Sequence, residues 1–171
     1  MEEKLVSESR TVKTEIVLPS DTNPLGNLFG GRLMEWVDIA GSICAQRHCG
    51  RVVVTAAINH TSFNHPIKEN SIVTLEAQIS RAFDTSMEVI VDVFVENIVT
   101  HARIKCNEAI LTCVAIDDNG VPLPIPKIKP QTELEQKRYD AALRRRQLSL
   151  ILSGRLKPDD ATELKSLFVK E

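Results

Sequence analysis

The sequence predicts an α+β fold in which one long helix packs on a curved antiparallel sheet of five or six strands and a helical extension follows. Three observations carry this reading. An alternating stretch at residues 11–18 precedes an apolar-periodic run from Gly30 to about His48. Four β-rich stretches then follow with only turn signals between them, and past a proline-rich connector the composition becomes charged and helical. Three units result: a loose N-terminus at 1–9, a core domain at 10–126 and a helical extension at 127–171.

The first nine residues are polar, with no apolar pattern to anchor them. Val12, Thr14, Ile16 and Leu18 then fall on one side of a half-buried first strand, which Pro19-Ser20-Asp21-Thr22-Asn23-Pro24 closes as a loop. In the helix, Leu33, Trp36, Val37, Ala40, Ile43 and Cys44 recur at three- and four-residue spacing, and Gly50 is a stop signal. Ala40, Gly41 and Ala45 suit close approach to a sheet.

Residues 52–63 are almost continuously apolar at first, as in a strand buried on both faces. Residues 71–80 set Ile72, Thr74, Glu76 and Gln78 against Val73, Leu75, Ala77 and Ile79, one face for the core and the other for water. Two further strands lie at 87–96 and 101–116, with Glu96-Asn97 and Asp117-Asp118-Asn119-Gly120 as turns. The prolines from Pro122 to Pro130 exclude a sheet interior. Residues 132–153 read as a helix with a capping start at Thr132-Glu133-Leu134-Glu135 and a stop at Gly154, and 159–169 as a second short helix. The basic run Lys137, Arg138, Arg144, Arg145 and Arg146 is most simply a solvated face balanced by nearby acids, the alternatives being subunit packing or contact with phosphates.

With 171 residues, 43% hydrophobic and 26% charged, the chain has the composition of an ordinary single globular domain with an appendage. A net charge of −2 gives no electrostatic ground for nucleic acid or an anionic membrane as partner. No apolar run is long enough to span a bilayer, and Met1-Glu2-Glu3-Lys4 lacks the basic start of a secretion signal, so a cytoplasmic location is expected. Cys44, Cys49, Cys106 and Cys113 form no Cys-x-x-Cys pair and no metal-like group with the histidines, so reduced thiols and no metal are expected. His60 and His65 read as surface or hydrogen-bonding residues.

The chemistry concentrates at the start of the long helix. Gly30 and Gly31 are poor helix formers, and at that end free amides and the helix dipole favour an oxygen carrying negative charge. Two turns on, Asp38 sits among Trp36, Val37, Ile39 and Ala40. A helical Asp commonly faces water or closes a local hydrogen bond; in apolar company it is also a candidate general base or nucleophile. At 1.5 Å per residue, Asp38 lies roughly 10 Å along the axis from Gly31, too far for both to reach one carbonyl. Two copies of the helix bring them together, which predicts a dimer sharing a site.

The stretch from Asn23 to Gly41 resembles the acyl-CoA thioesterases of the hotdog fold, in which the helix opens with a Gly-Gly pair followed two turns later by an acidic residue and Ala-Gly. Asn64-His65-Pro66-Ile67 is similar to the Pro-Ile turn of that family, and Phe83-Asp84-Thr85-Ser86-Met87 to its strand start that contacts coenzyme A; the resemblance spans about residues 10 to 126. It implies that Asp38 is the catalytic carboxylate, that the Gly31 amide polarises the thioester carbonyl, and that Asn23 holds water or substrate. It also implies substrate contacts at Phe29, Gly30, Thr85, Ser86 and Met87, no cofactor, and homodimers assembled into a trimer of dimers that bind acyl-CoA and release coenzyme A. Phe29 stands where many relatives have His, which resembles a subgroup acting on short- to medium-chain substrates. Glu69-Asn70 stands where many have Gly-Asp.

Coenzyme A also asks for positive charge, and Arg47, Arg51, Arg81, Arg103 and Lys105 are the candidates outside the extension. Two alternatives share the expected fold. One is an acyl-CoA sensor without turnover, for which no helix-turn-helix or zinc signature speaks. The other is a hydratase, which by resemblance wants a His that is missing before Gly30.

Overall fold

The computed structural model describes the backbone of residues 2–63 and 65–168, and their side chains except those of His60, Ser62 and Phe63. Asn64, from the expected turn motif, and Val169, the expected end of the last helix, lie outside the described residues, as does the His60 side chain. In chain order the elements are β1 (Lys4–Leu5), α1 (Val6–Ser9), β2 (Thr11–Ile16), a 3-10 turn (Pro19–Asp21), α2 (Gly30–Cys49), β3 (Val53–Phe63), β4 (Ile72–Ala82), β5 (Ser86–Glu96), β6 (Arg103–Ala115) and β7 (Ile128–Lys129). The extension adds α3 (Glu133–Leu152), a 3-10 turn (Pro158–Asp160) and α4 (Thr162–Lys165).

The main sheet has the order β2-β4-β5-β6-β3, antiparallel throughout, and α2 lies across one face of it: the hotdog arrangement. Leu33, Trp36, Val37, Ala40 and Cys44 of α2 share one core with Val73, Leu75, Ile79, Val89, Val91 and Leu111 of the sheet. A Cβ on Gly41 would stand 3.1 Å from Leu111 Cδ2, so this glycine sets how closely the helix approaches. Gly50 ends α2 in the left-handed region at φ 65°. Beyond the Pro-Ile turn, Asn70 takes φ 63°, a conformation that Asn tolerates better than most residues, so Glu69-Asn70 makes the turn without glycine.

Five expectations are corrected by packing. Residues 4–9, expected loose, are ordered: β1 pairs in parallel with β7, Val6 and Ser9 are buried, and Lys4 Nζ donates to the His48 carbonyl at 2.7 Å. In β2 the alternation is correct but its apolar side, with Val12, Ile16 and Leu18, faces outward, while Thr11 and Val17 are buried. β3, expected to be buried on both faces, is a sheet edge in the single chain and leaves Val54 and Ile58 exposed. Ile43, read as core, is likewise exposed beside Ile39 on α2.

The fifth correction concerns the far face of the sheet, expected to be wet. Helix α3 crosses it, and Ser80, Glu88 and Asp92 are buried there. Glu88 accepts two bonds from Arg145, at 2.9 and 2.7 Å, and one from Ser80 Oγ. Asp92 pairs with Arg138 at 2.6 Å and Lys105 at 2.7 Å. Two of the five basic residues read as a solvated face, Arg138 and Arg145, therefore point inward, where arginine's fork matches a buried carboxylate. The Thr132 capping box opens α3, and Gly154 follows its end at φ 70°.

Burial pushes the His48 imidazole below its ordinary pKa, with Lys4 adding to the effect and the Pro126 carbonyl opposing it. The ring donates to Pro126 O at 2.9 Å through Nε2, and Nδ1 is buried with no partner among the described residues. A histidine held neutral in the folded state contributes fully above its unfolded pKa of about 6.5 and costs stability as pH falls below it, because the unfolded chain takes up the proton first. Urea unfolding should therefore show stability declining from about pH 7 to about pH 5.5. That slope should flatten in His48→Gln, which can keep the bond to Pro126 without titrating.

Candidate active site

The loop before α2 is pinned at both ends. Asp21 is buried; its carboxylate accepts from the Leu18 amide at 3.0 Å and from Arg32 Nε at 2.9 Å, while its carbonyl accepts from the Phe29 amide at 2.8 Å. Within the loop, Asn23 Oδ1 accepts from the amides of Leu25 and Asn27, at 2.9 and 3.2 Å. That leaves the Asn23 carboxamide NH2 as its outward donor. It borders a cavity of about 380 Å³ lined also by Gly30, Leu33, Ile67 and Asn107. Leu28 N donates to Ile67 O at 2.6 Å, which fixes the Pro-Ile turn against this loop.

Phe29 is the N-cap residue of α2 and supplies no side-chain cap. Its ring is exposed and folds over the glycine pair, so that a Cβ on Gly31 would fall 2.8 Å from ring atom Cε1. The carbonyl of Phe29 is taken by the amides of Arg32 and Leu33, so the amides of Gly30 and Gly31 are the first two of the helix, which no intrahelical carbonyl can reach. Gly31 borders a separate open cavity of about 610 Å³ with Arg32 and Glu35. Its positive helix end and bare amides suit a carbonyl oxygen that gains charge.

Asp38 is half-buried in the middle of α2. Its Oδ1 accepts from Thr55 Oγ1 of β3 at 2.6 Å, and Thr55 Oγ1 lies 3.5 Å from Ser42 Oγ, one helical turn along from Asp38. The β3–β6 register shifts between Thr55 and Ala57, a bulge directly beyond the threonine. Sequence reasoning does not single out Thr55. Its only signal is a hydroxyl in an apolar strand, four residues into the stretch that follows Arg51.

Asp38 and Gly31 do not meet within one chain, since α2 is unbroken between them. Thr85, in the β4–β5 turn, and Ser86, the first residue of β5, line a third cavity of about 410 Å³, against α3. Met87, expected among the substrate contacts, has its side chain in the core instead. Of the candidate cations, Arg47 donates to Thr11, Arg81 to the Tyr139 carbonyl, Arg103 to Glu76 and Lys105 to Asp92 and Glu108, so these four are already engaged.

The four cysteines are free thiols, and burial drives Cys44 up to about 12 and Cys113 up to about 11. Neither is a thiolate nucleophile at neutral pH. Among the described residues no helix is long and apolar enough to cross a membrane.

The sequence profile of the thioesterase superfamily matches residues 25–102. The uncharacterized acyl-CoA thioester hydrolase YkhA of Bacillus subtilis is 41% identical over 144 residues, 84% of either chain. The chain belongs to the thioesterase superfamily. Among solved structures of the superfamily, a hexameric acyl-CoA thioesterase is 38% identical with a TM-score of 0.82 over 85% of this chain and 94% of that one. The acyl-CoA hydrolase of Staphylococcus aureus, solved with butyryl coenzyme A and with coenzyme A, is 35% identical with a TM-score of 0.84 over 89% and 94%. That hydrolase has also been solved with an asparagine, an aspartate and a threonine each replaced by alanine.

Proposed function

We propose that the chain hydrolyses acyl-CoA thioesters to the free acid and coenzyme A, at a site completed by a second copy of itself. The observation that carries this is the Asp38 carboxylate, oriented by Thr55 at the open edge of β3 and out of reach of its own Gly31. The three residues replaced in the Staphylococcus aureus hydrolase have the types and the spacing of Asn23, Asp38 and Thr55 here, which supports the same assignment. The exposed Val54 and Ile58 of β3, beside Ile39 and Ile43 of α2, give the partner copy an apolar surface and an unpaired strand edge. The outward Val12, Ile16 and Leu18 of β2, at the opposite edge, suit contacts between dimers, as in a trimer of dimers.

In this reading the thioester carbonyl rests on the Gly31 amide of one copy, and Asp38 of the other acts on the carbonyl carbon. Asp38 either takes a proton from water that Asn23 positions, or attacks to form a mixed anhydride that water then cleaves. On either route the coenzyme A sulfur leaves as thiolate and is protonated. A short- to medium-chain substrate and a cytoplasmic site belong to the same reading, and free cysteines suit that compartment.

Thiol release from acyl-CoAs of increasing chain length, by the purified protein, tests it; a folded protein that releases no thiol from any of them overturns it. Thr55→Val removes one hydrogen bond to a charged carboxylate, a bond worth about 1.5–3 kcal/mol. We expect kcat to fall by roughly tenfold or more and the melting temperature by about 3–12 °C, with the protein still folded at the assay temperature, because Thr55 orients Asp38 and is not itself the reacting group.

A further inference from the structure

The first turn of α2 lacks the usual means of holding a helix start in place. Phe29 supplies no side-chain cap, the turn has no acidic residue, and it opens with two glycines, the residues with the most backbone freedom to lose. At the third helical position stands Arg32, a cation at the positive end of the helix dipole, where a carboxylate would be favoured. Asp21 compensates from outside the helix. Its main-chain carbonyl accepts from the Phe29 amide at 2.8 Å, and its Oδ1 accepts from Arg32 Nε at 2.9 Å. Gly30 and Gly31 therefore lie between two residues tied to the same aspartate. Asp21 is only 6% exposed, and its Oδ2 is held by the Leu18 amide at 3.0 Å. On its outer side, Arg32 donates through Nη1 to Glu35 at 2.6 Å, and its guanidinium carbon lies 5.8 Å from the ring centre of the buried Trp36.

We infer that Asp21 and Arg32 are positioning residues for the reaction: together they clamp the glycine pair from both sides, so that the Gly31 amide already points where the carbonyl oxygen gains charge. Two glycines leave the helix start open to a ligand, and the freedom they bring is removed by the tethered residues on either side. Electrostatic stabilisation of this kind needs a donor that does not reorganise as charge develops, and a displacement of about 1 Å can cost roughly a hundredfold in rate. Arg32 has Nε and Nη1 committed to carboxylates, so its part is to tie the turn rather than to receive the oxygen. Its fork suits that part, because one planar group spans the buried Asp21 and the exposed Glu35. The inference rests on the acyl-CoA hydrolase reading above and adds to it two residues that act through a third.

The test compares wild type with Asp21→Asn, Arg32→Gln and Arg32→Lys in the full chain, by thiol-release kinetics and by amide hydrogen exchange. An asparagine at position 21 puts an NH2 group where either Arg32 or the Leu18 amide now finds an oxygen, so one of the two bonds is lost. In Asp21→Asn and Arg32→Gln we expect kcat and kcat/KM to fall together by roughly tenfold or more, the mark of an interaction made in the transition state. Arg32→Lys keeps the charge without the fork and should recover part of the loss. Exchange at the amides of Phe29, Arg32 and Leu33, which bond to the Asp21 and Phe29 carbonyls, should quicken by roughly tenfold or more while the rest of α2 keeps its protection. Should Asp21→Asn not fold, Arg32→Gln carries the test, since its side chain is only half-buried. Wild-type kcat in Arg32→Gln overturns the inference, and so does a loss of kcat with exchange at those three amides unchanged or quickened equally along the whole helix. A wild type that releases no thiol, yet loses protection at the same three amides in Arg32→Gln, would instead sink the hydrolase reading and leave the clamp on Gly31 standing.

Discussion

Asp38→Asn should lower kcat for acyl-CoA hydrolysis by about 10²- to 10⁴-fold while the protein melts as the wild type does. The amide keeps the shape of the carboxylate and can still accept from Thr55 Oγ1, which lies 2.6 Å away in the wild type. What it loses is the ability to take a proton from water or to attack a carbonyl. Because Asp38 is only half-buried and its partner is a neutral hydroxyl, no charge is left unpaired by the change, so stability should move by less than about 1 kcal/mol. An Asp38→Asn protein with wild-type thiol release would remove Asp38 from the chemistry. Thiol release should be measured beside circular dichroism, so that a fold defect is not mistaken for a chemical one.

Arg145→Met should cost about 3 kcal/mol of unfolding free energy, the lower end of the range for breaking a buried pair, because about a third of the arginine side chain is exposed while Glu88 is almost wholly buried. The Glu88 carboxylate would keep its bond to Ser80 but lose both guanidinium bonds. For a chain of this size the melting temperature should drop by about 6–12 °C. The double change Glu88→Leu with Arg145→Met should recover most of the loss, since an apolar pair of similar volume removes the desolvation cost at both ends. Urea titrations of the four proteins complete the cycle. A double variant no more stable than Arg145→Met would show that the loss lies in packing of the arginine stem rather than in the stranded charge.

The central helix was legible to within a residue at its C-terminal end, because Leu33, Trp36, Val37, Ala40 and Cys44 keep one stripe and Gly50 stops it. Of the five strands of the main sheet, β2 and β4 were legible by their period and β3, β5 and β6 as apolar, β-branched runs between turn signals, with the turn at Asp117-Asp118-Asn119-Gly120 legible by its residues. What local pattern could not show is which face of a strand meets which layer. β2 and β3 carry apolar residues that a single chain leaves exposed, so the alternation of the one and the continuous apolarity of the other were read toward a core that a single chain does not supply. The arginines of α3 were indistinguishable by spacing; only the sheet carboxylates opposite them separate Arg138 and Arg145 from Arg146.

Within the candidate site, Asp38 and Gly31 stood out as residue types that fit their surroundings poorly, whereas Asn23 is ordinary in a loop and was named only through the family resemblance. Thr55 did not stand out, since a threonine in a strand is ordinary and its role depends on a helix residue seventeen positions earlier. Met87 was the opposite case: adjacent to Ser86 in sequence, it points to the other side of the sheet and into the core.

The parallel pairing of β1 with β7 has a consequence for how the chain is made. Lys4 and Leu5 precede every strand of the main sheet in the chain, yet their partners Ile128 and Lys129 come after the whole of that sheet. Lys4 also reaches the last turn of α2 through the His48 carbonyl. Residues 4–5 therefore pair only after the sheet and helix between the two strands have formed, closing over the junction between the domain and its extension as a late latch.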